Sequence, residues 1–286
     1  MTAADLVDDA GATLGEGPVW DPAVDALVWV DVTEGRVHLS EADGRRRRTY
    51  QVPTHVGAAL PAAGGGWLLA TADGFGRLAG DGAVQEVLDV HAGDPGIRFN
   101  DAACDPQGRA LAGTMRYDEQ PGDAVLYRLD PDPSRGWRAV PLRVDQGLCN
   151  GIGWSPDGST LYFVDSLAHR IDACEYDPAT GAVGHARVLA DVSPDDGLPD
   201  GLCVDAEGGI WVAVHGGGQV RRYTPAGDLD GVVEVPVRAV TCPAFGGADL
   251  RRLYVTTAAA SGEPGSGGLW AADPGVTGLP ATPWRS

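Results

Sequence analysis

The chain has 286 residues, 43% of them hydrophobic and 21% charged, with 42 glycines, 21 prolines and a formal net charge of −19. That length buries a sizeable core, and the apolar fraction is ordinary for a soluble globular protein. The acidity argues against a nucleic-acid surface, which needs clustered Lys and Arg, and it concentrates cations near any carboxylate-lined cleft.

The N-terminal MTAADLVDDAG has no basic n-region or apolar h-region, so no signal peptide is expected. No apolar run approaches the roughly 18 residues of a membrane span. Cys104, Cys149, Cys174, Cys203 and Cys242 lack C-x-x-C spacing and read as reduced thiols of a cytoplasmic protein. In chain order, short β-type runs follow one another: ALVWVDV (26–32), GWLLATA (66–72), AVLYRLD (124–130), TLYFVDS (160–166), GIWVAVH (209–215) and RRLYVTT (251–257). Each is rich in β-branched and aromatic residues and bounded by Gly, Pro or Asp. No sustained 3.6-residue stripe is present, so helices should be few and short. Arg45 to Arg48 reads as a solvated outer strand, HGGGQ (215–219) as a hairpin turn, and 115–123 and 261–268 as long loops.

One cadence recurs along these runs. A lead residue is followed by small or apolar residues, then Asp/Ser-Pro or Asp-Ala and a glycine turn, as in NDAACDPQG (100–108), NGIGWSPDG (150–158) and DGLCVDAEG (200–208). Aligned this way, the leads are Glu16, Val56, Asn100, Asn150, Asp200 and Thr241. Units of roughly 40–50 residues with about four strands each are the signature of propeller blades. The expected fold is all-β: a six-bladed β-propeller of four-stranded antiparallel blades around a central metal site, as a single domain over 1–286. The terminal GVTGLPATPWRS should add an outer strand or close the ring with the N-terminal segment.

Residues in equivalent phase on innermost strands form a ring around the axis. Any one of Glu16, Asn100, Asn150 and Asp200 alone reads equally as a strand-end hydrogen-bonding group; four in phase point to a site. Gathering two carboxylates and two amides is costly without compensation. A hard divalent cation, Ca2+, Mg2+ or Mn2+, or Zn2+ at lower coordination number, supplies it.

LGEGPVW (14–20), RFND (98–101), AGTM (112–115), NGIGWSPDG (150–158), YFVDS (162–166), PDGLCVDAEGGIWVA (199–213) and FGG (245–247) together resemble the SMP-30/gluconolactonase/regucalcin family, from about residue 14 to 272. The resemblance implies a six-bladed propeller with one catalytic divalent metal and hydrolysis of sugar-acid lactones. It implies Glu16, Asn150 and Asp200 as metal ligands, and Asn100 beside the metal, touching substrate or water there. Arg98 matches a substrate-contacting arginine, and Asp118 falls where vertebrate members have a glutamate that meets sugar hydroxyls. Ala102 departs from a glycine common after RFND.

The expected reaction is attack of water on a metal-polarised lactone, with Asp200 as general base and Arg98 anchoring substrate or offsetting oxyanion charge. No G-x-S-x-G elbow supports a serine nucleophile, and strand alternation should turn Cys149 off the axis. His55 is the one histidine expected near the site, as a pocket residue or a satisfied strand-end group. The alternatives are a hydrolase of another lactone, ester or organophosphate on this scaffold, or a non-catalytic Ca2+-binding propeller. The expected partner is a small sugar lactone, with no nucleic acid or membrane, and the chain is expected to be a monomer.

Overall fold

The computed structural model describes residues 2–91 and 93–285. Six sheets follow one another in chain order, each with four antiparallel strands from innermost to outermost; in the fifth, Thr2–Ala3 adds a short strand parallel to the outermost one. Their innermost strands are Gly15–Asp21, Val56–Pro61, Ile97–Cys104, Cys149–Trp154, Leu198–Val204 and Val240–Gly246, and we number the blades 1 to 6 accordingly. This is the six-bladed propeller that the repeat predicts. Among the described residues, helix is limited to a three-residue turn, Ala259–Ser261.

The hydrophobic pattern follows position in the blade. In blade 1 all six residues of the second strand, Ala26–Asp31, are buried, because blades pack on both of its faces. The outermost strand Arg46–Gln51 is exposed except at Tyr50, so the arginine run is the solvated outer strand expected. In blade 3 the apolar run at 124–130 is part of the third strand, Ala124–Asp132; the second is Ala110–Arg116. There is no single core. Each blade interface has its own cluster, such as Val30, Val37 and Leu69 between blades 1 and 2, and Leu111, Cys149 and Phe163 between blades 3 and 4. Cys149 is thus turned off the axis, as alternation requires.

The two ends of the chain divide the task of closure. Asp5–Asp8 forms the outermost strand of blade 6, antiparallel to Leu269–Ala272. The C-terminal tail does not become a strand; it crosses one mouth of the channel. Gly278 bridges Asp205 of blade 5 and Trp284 bridges Ala62 of blade 2. Leu279 to Thr282, with proline at 280, then line a pocket of about 340 Å³ together with Val19, Cys203 and Cys242 among others. Proline cannot donate a ladder hydrogen bond, which suits this stretch to a strap better than to a strand.

Candidate metal centre

Every innermost strand carries the same irregularity beside its lead residue. Pairing with the second strand slips between Glu16 and Val19, Val56 and Ala58, Phe99 and Ala102, Cys149 and Ile152, Pro199 and Leu202, and Val240 and Cys242. A bulge re-aims the side chain next to it. A glycine follows the lead in blades 1, 2, 4 and 5, because neighbouring innermost strands nearly touch there. A Cβ on Gly57 would lie 2.2 Å from the Asn100 carbonyl oxygen, and one on Gly151 2.8 Å from that of Asp200.

Glu16, Asn100, Asn150 and Asp200 are all buried. The Asn150 amide donates to Asp200 Oδ1 and, at 3.2 Å, to the Ser166 hydroxyl. Its own Oδ1 is buried with no hydrogen-bond partner. The Asn100 amide donates to the Cys149 carbonyl at 3.1 Å. At the two remaining ring positions Val56 is apolar and fully buried, and Thr241 donates to the Gly15 carbonyl at 2.6 Å.

Blade 3 departs from the glycine rule: Asp101 follows its lead. The carboxylate is buried, accepts from the Ala102 N–H at 2.7 Å, and is pushed up to about 6 by burial. Burial first, and then the charges of Asp200 and Asp101, raise Glu16 well above the usual carboxylate range. Burial and Asp101 likewise raise Asp200. Three carboxylates therefore share one desolvated space. Their sequence signal was the aspartate standing where four blades have glycine.

Arg98 is the cation whose charge acts on Glu16 and Asp200. It is buried, donates Nη1 to the Phe99 carbonyl at 3.0 Å, and lies 5.8 Å from the centre of the Tyr117 ring. Burial pulls its pKa down, while Tyr117, Glu16, Asp200 and Glu119 counter that. His55 Nδ1 is 2.7 Å from the Tyr117 hydroxyl, so it joins the rim through Tyr117. Asp118 is not brought to this group. It is exposed, and both of its oxygens accept from Arg116, at 2.8 and 3.0 Å. From this loop it is the neighbouring Glu119, whose φ of 53° turns the chain there, that acts on Arg98 alongside Glu16 and Asp200. A left-handed residue in a loop leaves no sequence pattern to read.

Two further residues escaped the pattern. His215 ends the second strand of blade 5, with Nδ1 3.7 Å from Asp200 Oδ2. Tyr117 links His55 to Arg98. Among the described residues no three His, Cys, Asp or Glu side chains form a metal-holding group by themselves; a donor set at this ring needs the Asn150 amide as well.

The family model described as SMP-30/Gluconolactonase/LRE-like region matches residues 14–259. The chain belongs to this family. The pentonolactonase of Haloferax volcanii is 38% identical to it over 269 residues, covering 93% of this chain and 89% of the relative. The crystal structure of the calcium-binding protein regucalcin from Agrobacterium tumefaciens superimposes with a TM-score of 0.92 at 32% identity, covering 100% of this chain and 98% of that one. A gluconolactonase from Xanthomonas campestris superimposes with a TM-score of 0.78 at 25% identity, covering 94% of this chain and 89% of that one. The SMP-30/gluconolactonase family thus includes sugar lactonases and a calcium-binding protein on this propeller.

Proposed function

We propose that this chain is a divalent-metal-dependent hydrolase of sugar-acid lactones, with Glu16, Asn150 and Asp200 as the protein ligands of the cation. The observation that carries this reading is the Asn150 amide oxygen. It is buried without a donor, on a side chain that touches Asp200, in the space where Glu16, Asp101 and Asp200 resist ionisation together. Buried polar atoms are normally satisfied. One hard cation would satisfy the amide oxygen and offset the carboxylate charge at once, so the residues fit the group that the family implies.

When bound, a divalent cation at this ring supplies Lewis-acid polarisation of the lactone carbonyl. The chain's own residues do the rest. Ionised Asp200 takes the proton from the water that attacks the carbonyl carbon. Arg98, fixed by the Phe99 carbonyl and the Tyr117 ring, holds a substrate oxygen or the charge that develops on it. Asn100, tethered through its amide nitrogen to Cys149, presents its amide beside them. The pentonolactonase and gluconolactonase relatives support the reaction class.

The test is a pH-indicator assay of a sugar-lactone panel on EDTA-stripped protein, with Ca2+, Mg2+, Mn2+ or Zn2+ added back, beside Asp200→Asn. Metal-dependent turnover that the variant abolishes is the expected result. Tight cation binding with no turnover on lactones would sink the lactonase reading and favour hydrolysis of another ester or phosphotriester, or a non-catalytic role.

A further inference from the structure

The circle of lead residues is lopsided. Blades 1, 3, 4 and 5 each contribute a carboxylate or an amide, whereas blade 2 contributes Val56, apolar and fully buried. Tyr117 spans from that blade to its neighbour. Its hydroxyl lies 2.7 Å from Nδ1 of His55, the residue just before Val56. The centre of its phenol ring lies 5.8 Å from the guanidinium carbon of Arg98, two positions before Asn100. Tyr117 therefore stands at the lead end of two innermost strands, beside the blade that has no polar lead.

The backbone under it is fixed by register. Arg98 pairs with Met115 and Ile97 with Arg116, and the Tyr117 N–H then donates to the Gly96 carbonyl at 3.0 Å. Arg116 pairs with both Asp118 and Asp123. The Gly122 N–H donates to the Gln146 carbonyl at 2.9 Å, which ties the loop to the end of the outermost strand of blade 3. The side chain is held as well. A tyrosine has two side-chain torsions, and contacts at the hydroxyl and over the ring restrain both. The His55 imidazole meets the phenol edge-on, with ring centres 5.6 Å apart. Tyr117 cannot swing aside without giving up His55 and the cation–π contact with Arg98 together.

A side chain so well held is nonetheless 42% exposed. It presents apolar surface beside the buried arginine that anchors substrate, and its oxygen keeps hydrogen-bonding capacity beyond the bond with His55. Small-molecule sites combine such an aromatic wall with a few convergent polar groups. We propose that Tyr117 is a specificity-determining residue: a fixed wall at the mouth that packs on the ring of a monosaccharide lactone and excludes the lactone of a disaccharide acid. His55 is its positioning residue. The inference deepens the lactonase reading and rests on it.

The experiment compares kcat/KM of the cation-loaded full chain on glucono-1,5-lactone and on lactobiono-1,5-lactone, for the unmutated protein, Tyr117→Ala, Tyr117→Phe and His55→Ala. The unmutated protein should prefer the monosaccharide lactone by at least about 10-fold, and Tyr117→Ala should reduce that preference by about 10–100-fold. Its KM for the monosaccharide lactone should rise by about 3–10-fold, more than kcat falls, as expected for a lost binding contact. Tyr117→Phe and His55→Ala remove the same hydrogen bond, so each should reduce the preference by about 2–5-fold, and their combination by no more than either alone. A merely structural role would move both substrates alike and leave the ratio where it was. A ratio unchanged in Tyr117→Ala, or an unmutated protein that takes both lactones equally well, would overturn the role of Tyr117 and leave the lactonase reading standing. An unmutated, cation-loaded protein that hydrolyses neither lactone would overturn that reading and the substrate class named here with it.

Discussion

Asp200 and Asp205 lie five positions apart in one blade, and both are buried, yet their surroundings are opposite. Asp205 sits in the turn after the innermost strand. Its Oδ1 accepts from the Glu207 and Gly209 N–H groups at 2.9 and 2.8 Å. Its Oδ2 accepts from Trp211 at 2.8 Å and Arg222 at 2.7 Å. Burial pushes its pKa up, but the bonds from Arg222, Trp211 and Gly209 outweigh that and hold it below the usual range. Asp105 in blade 3 is built alike, with Gln107 and Arg109 N–H groups on one oxygen and Tyr176 on the other. Asp200 has the Asn150 amide, the Gly201 backbone and the company of Asp101, and its pKa rises. A buried carboxylate that serves the fold brings its donors with it. One that lacks them stores a cost that a ligand removes.

The sharpest way to break this comparison is the same substitution at both sites. Asp205→Asn leaves Arg222 without its buried partner and should cost about 3–5 kcal/mol in urea unfolding. Asp200→Asn should leave the metal-free protein as stable or more stable by about 0.5–2 kcal/mol, while turnover falls by about 10²–10⁴-fold. Equal destabilisation by the two changes would sink the distinction.

A second prediction concerns pH. Glu16, Asp101 and Asp200 have folded-state pKa values raised above their unfolded ones, so the folded chain holds these protons more tightly. The stability they contribute is complete at acid pH. It is lost as pH rises from the ordinary carboxylate range through about 6 for Asp101 and higher for its neighbours. On the proposed reading, a bound cation would take the place of the protons. The gap in Tm between cation-loaded and EDTA-treated protein should therefore widen between about pH 5 and about pH 8, and a gap that narrows would contradict the assignment.

Smaller effects test the axis and the rim. Gly57→Ala should cost about 1–3 kcal/mol through its clash with the Asn100 carbonyl, whereas Gly80→Ala, with open space around it, should not. Thermal melts of the two report how closely the strands approach. The smallest change is expected of Asp118→Asn, which loses an exposed pair with Arg116; stability and kcat/KM should stay at the unmutated values. A marked loss in kcat/KM would return position 118 to the substrate.

Much of the centre was legible before any coordinates. The Asp-Pro and Asp-Ala turns read so clearly because Asp21, Asp105 and Asp205 each cap a tight turn with their own side chains, as in the Ala23 N–H bond to Asp21 at 3.0 Å. Those turns set the phase, and phase named Glu16, Asn100, Asn150 and Asp200. Asp101 was visible within RFND but had no role there, since its effect on Glu16 and Asp200 acts across blades. His215 was passed over because its neighbour Asp200 is met through strand pairing.

The amino-acid sequence by itself determined the number of blades, the lead residue of each and the family, because repeat period, turn chemistry and alternation act over a few neighbouring residues. Tertiary structure alone decided where those leads point, through the bulge at each. It also decided that Asp5–Asp8 and not the C-terminal tail completes blade 6, that Asp118 turns to Arg116, and that His215 faces Asp200. Each of these depends on register and approach between strands distant in the chain, and a local pattern carries no record of such pairings.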